Sequence, residues 1–138
     1  MTTNDPLLDQ TLQCLSWHRH REWGDRVPLD VFTRLLAKNI RAPGWTPNTH
    51  LELQPQELTS RREVWTAAQL ARLRRGHESK AGDDFNCPII VAEYQGTQRL
   101  LDGNHRNNRW IETGDERTHD VNIHCVTETA AFVELPAG

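Results

Sequence analysis

Pro88-Ile89-Ile90-Val91-Ala92-Glu93-Tyr94-Gln95-Gly96-Thr97-Gln98-Arg99-Leu100-Leu101-Asp102-Gly103-Asn104-His105-Arg106 is the stretch whose pattern decides the fold. Residues 88–94 are apolar and β-branched, which predicts a strand. Gln95-Gly96 forms a turn, and residues 97–101 return as the second arm of a hairpin. Asp102-Gly103 breaks that arm. A helix follows from about Asn104 to Thr113 and stops at Gly114, a residue suited to the left-handed conformation of a helix C-terminus.

The break between strand and helix concentrates chemistry. Gly103 has no side chain, so another group can approach the backbone closely. The helix that opens there presents N–H groups without intrahelical partners and the positive end of its dipole, together an anion site. His105 and Arg106 add two cationic or hydrogen-bonding heads. Asp102 offers a hard oxygen ligand for magnesium held against a phosphate. The plainer alternative is that Asp102 only caps the helix while His105 and Arg106 stay solvated.

Upstream, Leu8, Leu12 and Leu15 recur at helical spacing after Asn4-Asp5-Pro6, where Asn4 or Asp5 can cap and Pro6 suits the first turn. This helix is expected to fade near Trp23-Gly24. A second helix starts at Pro28 with Phe32, Leu35, Leu36 and Ile40 on one face, and Ala42-Pro43-Gly44 ends it. Leu51 and Leu53 alternate with Glu52 and Gln54 as a short strand. Ser60 with Glu63 three residues later reads as a capping box opening a third helix, whose buried stripe is Val64, Ala67, Ala68 and Ala71. Residues 76–86 read as a loop. Downstream, residues 120–126 alternate Val121, Ile123 and Cys125 with Asn122 and His124, a half-buried strand.

A chain of 138 residues has the length of one domain, and 36% hydrophobic with 25% charged residues suits a globular protein. No apolar run is long enough for a membrane span, and the N-terminus lacks the pattern of a signal peptide, so a cytoplasmic location is expected. Cys14, Cys87 and Cys125 are odd in number and far apart, which predicts buried free thiols. The net charge of -3 argues against a protein that mainly coats nucleic acid. Yet fourteen of the sixteen basic residues are arginine, and Arg61, Arg62, Arg72, Arg74 and Arg75 crowd one segment. They form either a phosphate-binding patch or a solvated helix face. None of the seven histidines has zinc-site spacing; His119 and His124 read as surface or satisfied core residues. Trp65 and Trp110 are placed on packed helices, whereas Trp17, Trp23 and Trp45 either clamp the N-terminal segment or stack on a ligand.

The order of elements, from the strand near Leu51 through the Ser60 helix and the hairpin to Asp102-Gly103-Asn104-His105-Arg106, resembles the ParB/sulfiredoxin superfamily. Its members carry a similar hairpin and a GERR, GCHR or DGHHR-type turn before a helix. The resemblance spans roughly residues 50–126. It implies an α+β fold, a small mixed sheet with packed helices, in residues 50–138, preceded by a two-helix extension in residues 1–49. It further implies that Gly103, Asn104, His105 and Arg106 hold the phosphates of ATP or ADP, with CTP as a third candidate, and that Asp102 holds Mg2+.

Asn104 stands where sulfiredoxin-like members keep a reactive cysteine, so sulfinic acid repair is not expected. No chain follows Gly138 to form the DNA-binding domain of partition proteins, so that role is not expected. The small kinases of the superfamily imply a magnesium-dependent phosphotransferase acting on a metabolite hydroxyl or amine. In that reading Glu63 is the general base, with Glu57 or Glu52 as substitutes, and Asp102 and His105 complete the catalytic set. The DGNHR nucleases imply instead that Asp102 and His105 serve a metal and a scissile phosphate, the arginines guiding DNA. A nucleotide-sensing switch without turnover is the third reading. Oligomeric state is left open.

Overall fold

A computed structural model describes residues 5–18, 21–42, 44–46, 51–54, 57–73, 87–128 and 130–134, with the backbone alone for Trp17, His18, Arg21, Glu52, Asn104 and His105. In chain order the elements are α1 (Pro6–His18), a short 3-10 turn (Arg21–Trp23), α2 (Leu29–Ile40), β1 (Leu51–Leu53), β2 (Leu58–Thr66), α3 (Ala67–Ala71), β3 (Ile89–Tyr94), β4 (Thr97–Asp102), α4 (Asn104–Thr113), β5 (Thr118–Val126) and β6 (Phe132–Glu134).

The hairpin stands where the sequence places it, β3 antiparallel to β4. On its other flank β3 runs parallel to β5, and β5 is antiparallel to β2, giving the order β2-β5-β3-β4. The fold is therefore mixed α+β around a four-stranded mixed sheet. This topology makes β2 and β4 run in the same direction. Both end at the same edge of the sheet, and there α3 and α4 begin.

Both faces of the sheet are covered. Leu8, Leu12 and Leu15 of α1 and Phe32 and Leu36 of α2 pack with Ile90, Ala92, Tyr94 and Val126 in one core. The other face buries Ile89, Val91, Leu100, Val121 and Ile123 against Ala67, Leu70 and Trp110 of α3 and α4. The N-terminal helices thus share a core with the sheet, and residue 50 marks no break in it. The start of α1 is fixed by Asp5, whose carboxylate accepts from the backbone N–H of Leu7 at 3.0 Å and of Leu8 at 3.3 Å.

Three expectations need correction. Ser60 and Glu63 do not open a helix: residues 58–66 pair along their whole length with β5, from Leu58 opposite Val126 to Thr66 opposite Thr118. The capping box lies three residues beyond Glu63, where the Thr66 hydroxyl accepts from Gln69 N–H and the Gln69 side chain accepts from Thr66 N–H at 2.8 Å. Trp65 is accordingly a strand residue. The short strand at Leu51 forms as expected, and it pairs with β6, a strand not foreseen, in a separate two-stranded sheet. Finally, Cys14 and Cys87 are joined in a disulfide, and Cys125 is the one free thiol. The bond ties α1 to the entry of β3. Residues 76–86, His20, Arg74 and Arg75 lie outside the described residues.

Candidate functional site: the strand-to-helix turn

The last register step of β4 sets the turn. Leu100 lies opposite Val91 but Asp102 lies opposite Ile90, so Leu101 is an extra residue in a bulge. Asp102 is thereby carried to the side where Ile90 packs with α1 and α2. Gly103 follows with φ 126, a backbone conformation that side chains rarely adopt. A Cβ there would lie 2.4 Å from Ile89 Cδ1. The close neighbour that requires glycine is thus β3 itself, which holds the turn hard against the sheet.

Beneath the turn, Arg106 is buried, with 3% of its surface exposed. Its guanidinium donates to the carbonyls of Cys87 and of Pro88, the latter at 3.4 Å, and to the Asp102 carboxylate at 3.3 Å. Desolvated charges persist when paired and hydrogen-bonded, and here the pair also satisfies two carbonyls at the entry of β3. Arg106 therefore joins β3, β4 and α4 from inside. It positions the turn instead of reaching toward solvent.

Asn107 is also fully buried, and its Nδ2 donates to the Ala67 carbonyl at 2.9 Å, linking the starts of α3 and α4. Its Oδ1 has no donor among the described residues. The N-cap of α4 is Gly103, which has no side chain to cap it, and the Asn107 N–H donates to the Gly103 carbonyl at 2.8 Å. The first N–H groups of a helix have no intrahelical acceptor, and at the start of α4 they point outward from the turn as a general anion-binding feature. The side chains of Asn104 and His105 lie outside the described residues.

Glu63 is not brought to this turn. It sits on β2, with β5 and β3 between it and β4, about 14 Å away by strand spacing. Register puts Glu63 opposite Val121, on the α3–α4 side, whereas Asp102 is on the other. Its Oε2 accepts from Arg61 Nε at 2.6 Å and its Oε1 from Trp65 Nε1 at 3.0 Å. Arg61 first, then the indole N–H, hold the carboxyl below its ordinary range. A carboxylate stabilised this way is a poor proton acceptor. It opens on a separate cleft of about 480 Å³ together with Trp65, Gln69, Arg72 and Gln98. Glu57 is spent differently, accepting from Ala131 N–H at 2.6 Å. Glu52 falls on β1, and its side chain lies outside the described residues.

Of the crowded arginines, Arg61 and Arg62 share no face. Arg61 and Arg62 are neighbours on a strand and so point to opposite sides. Arg61 makes two 2.9 Å bonds to Glu93, and Arg62 binds Asn122 and Gln10, each at 2.6 Å. The Arg61 guanidinium in turn holds the Glu93 carboxyl down to about 2.

One polar cluster escaped the sequence reading. His124 is fully buried between two hydroxyls, Ser60 Oγ at 2.7 Å from Nδ1 and Thr11 Oγ1 at 2.8 Å from Nε2. Its neighbour Asn122 contacts Thr11 at 3.3 Å and Gln10 at 3.1 Å. Alternation along β5 had suggested polar residues facing water. The usable signal was the helices flanking the sheet, which leave a central strand buried on both faces. His119 lies flat on Trp110, ring centroids 3.5 Å apart.

Among the described residues no group of three or more histidine, cysteine, aspartate or glutamate side chains could hold a metal ion. The Asp102 carboxylate already pairs with a buried guanidinium, so it does not fit the role of a magnesium ligand. Comparison with protein-family models, curated proteins and solved structures found no match.

Proposed function

We propose that this chain is a nucleotide-binding domain of the ParB/sulfiredoxin-like kind, which holds nucleotide phosphates on the 103–106 turn and passes a phosphoryl group to a small hydroxyl or amine acceptor. The observation that carries the binding half is the start of α4. A ten-residue helix follows β4 directly through Gly103, an N-cap with no side chain of its own and a positive φ. The N–H donors of a helix start and the helix dipole favour a phosphate oxyanion. Arg106 fixes the donors from beneath through Cys87, Pro88 and Asp102, so little reorganisation is needed on binding.

ATP or ADP, with CTP the third candidate, supplies the transferable phosphoryl group, and magnesium travels with its phosphates as part of the substrate. The placement of Glu63 leaves transfer to positioning and charge stabilisation. That same placement favours a second reading, a nucleotide-sensing switch without turnover. The nuclease reading draws no support from Arg61 and Arg62, which lie on opposite faces and are already paired.

Calorimetry with ATP, ADP and CTP in the presence of magnesium tests binding. Saturable heat is expected, with amide shifts at residues 103–107 and loss of both in Gly103→Ala. No heat with any nucleotide at millimolar ligand removes the proposal. Phosphorus NMR with a pool of amino acids and sugars then separates its halves: a new phosphate ester or phosphoramidate marks the phosphotransferase. Binding without product marks the switch.

A further inference from the structure

At the end of the sheet away from α4, the tip of the β3–β4 hairpin and the end of α2 enclose a cleft of about 230 Å³ lined by Ile40, Arg41, Tyr94, Gln95, Thr97 and Arg99. Arg26, Arg34, Arg61, Arg62, Arg106 and Arg117 are each ion-paired. Arg41 and Arg99 have no carboxylate partner among the described residues. The guanidinium of Arg41 only overlies the Trp45 ring, 6.0 Å from its centroid, and that of Arg99 reaches only the Gln98 carbonyl at 3.5 Å. The side chains of Tyr94, Gln95 and Thr97 make no hydrogen bond among the described residues. Five side chains with unspent polar heads therefore line one small space.

The backbone adds an independent observation. Among the described residues only two that are not glycine have positive φ, Arg41 at 52° and Gln95 at 51°. Both line this cleft. Arg41 ends α2 at the left-handed position that glycine usually fills, and Gln95 is the first residue of a turn that prefers asparagine, aspartate or glycine. A side chain at either place costs free energy that glycine would not, and neither side chain makes a hydrogen bond among the described residues that offsets it. Strain of this kind gathers at ligand clamps.

We infer that this cleft is a second oxyanion site, taking the phosphate group of a small phosphomonoester between Arg41 and Arg99. Guanidinium forks bind phosphate oxygens in pairs. The Gln95 amide and the Tyr94 and Thr97 hydroxyls supply further donors, and Ile40 with the Tyr94 ring forms an apolar wall for a short carbon skeleton. The volume is too small for a nucleotide. The length of β4, about 17 Å, separates it from the α4 turn, so the site stands independently of the function proposed above.

Titration of the 15N-labelled full chain with inorganic phosphate and with glycerol 3-phosphate, at constant ionic strength, tests the site. Saturable amide shifts are expected at Ile40, Arg41 and residues 94–99. Arg99→Gln should weaken binding about ten-fold or more. Arg41→Gly should weaken it similarly while melting at or above the wild-type temperature, because it removes strain together with the ligand contact. Shifts confined to residues 103–107, binding that survives Arg41→Gly, or a lower melting temperature for that variant would each overturn the assignment.

Discussion

His124 shows how much a single buried ring commits the molecule to one protonation state. Burial pushes its pKa down to about 4, since the ring is enclosed by Phe32 and two hydroxyls while Asp5 opposes the shift only weakly. In the unfolded chain the same ring titrates near its ordinary value of about 6.5. Between those values the unfolded state binds a proton that the native state refuses, so stability falls as pH drops from about 6.5 toward about 4. The loss is on the order of 3 kcal/mol, with nothing further from this group below that window. Glu63 and Glu93, held down by Arg61, act elsewhere: their contribution disappears only as pH falls below the ordinary glutamate range. Urea midpoints measured from pH 7 to pH 4 should therefore slope downward, and His124→Gln should flatten that slope. An unchanged slope in the variant would refute the assignment. The sequence left the residue open between surface and satisfied core, and its partners were not legible. Thr11 and Ser60 lie 113 and 64 residues away along the chain, and only the sheet brings them to the ring.

At the level of elements, local signals served well where they agreed with tertiary pairing. The leucines of α1, the apolar face of α2, the Gln95-Gly96 hairpin and the Gly103 to Gly114 limits of α4 were all readable, because caps, breakers and periodicity coincide there. Between Ser60 and Gln69 they conflict. Two capping-box patterns follow one another, Ser60 with Glu63 and Thr66 with Gln69, and nothing local ranks them. Pairing with β5 decides, since it consumes Ser60 and Glu63 in the strand ladder and leaves only the second box free to cap. That shift also places Glu63 away from the turn it was expected to serve, whereas β4 still passes into α4 through Gly103. The two boxes differ in consequence. Thr66→Ala removes a functioning cap and should lower stability by about 1 kcal/mol. Glu63→Gln touches only a half-exposed ion pair and an indole bond and should cost less than half as much. Chemical unfolding of both variants gives the order directly, and the reverse order would mean that the helix begins at Ser60 after all.

On the scale of the whole molecule, α1 is fastened to the sheet in three ways. Its leucines enter the core, Gln10 and Thr11 hydrogen-bond to Arg62, Asn122 and His124, and Cys14 is bonded to Cys87. The third link was invisible in the sequence, because 73 residues separate the two thiols and their spacing matches no motif. It reaches the place where function is proposed: the Cys87 carbonyl accepts from Arg106, whose guanidinium fixes the first turn of α4. Structural disulfides belong to oxidising compartments, so this bond and the expected cytoplasmic location pull in opposite directions. The cross-link restricts the unfolded chain far more than the native one. For a loop of this length the chain-entropy relation gives about 4 kcal/mol of stabilisation. Reduction with dithiothreitol should therefore move the wild-type denaturation midpoint to lower urea by that amount of free energy. Cys14→Ser should start from the lowered midpoint and show no response to reductant. Far-UV dichroism is expected to stay native in the reduced protein, because the core and the Thr11–His124 contact still hold α1 in place. A midpoint indifferent to reductant in the wild-type protein would mean that the thiols are not bonded in solution, and the tie between α1 and the arginine anchor would then rest on packing alone.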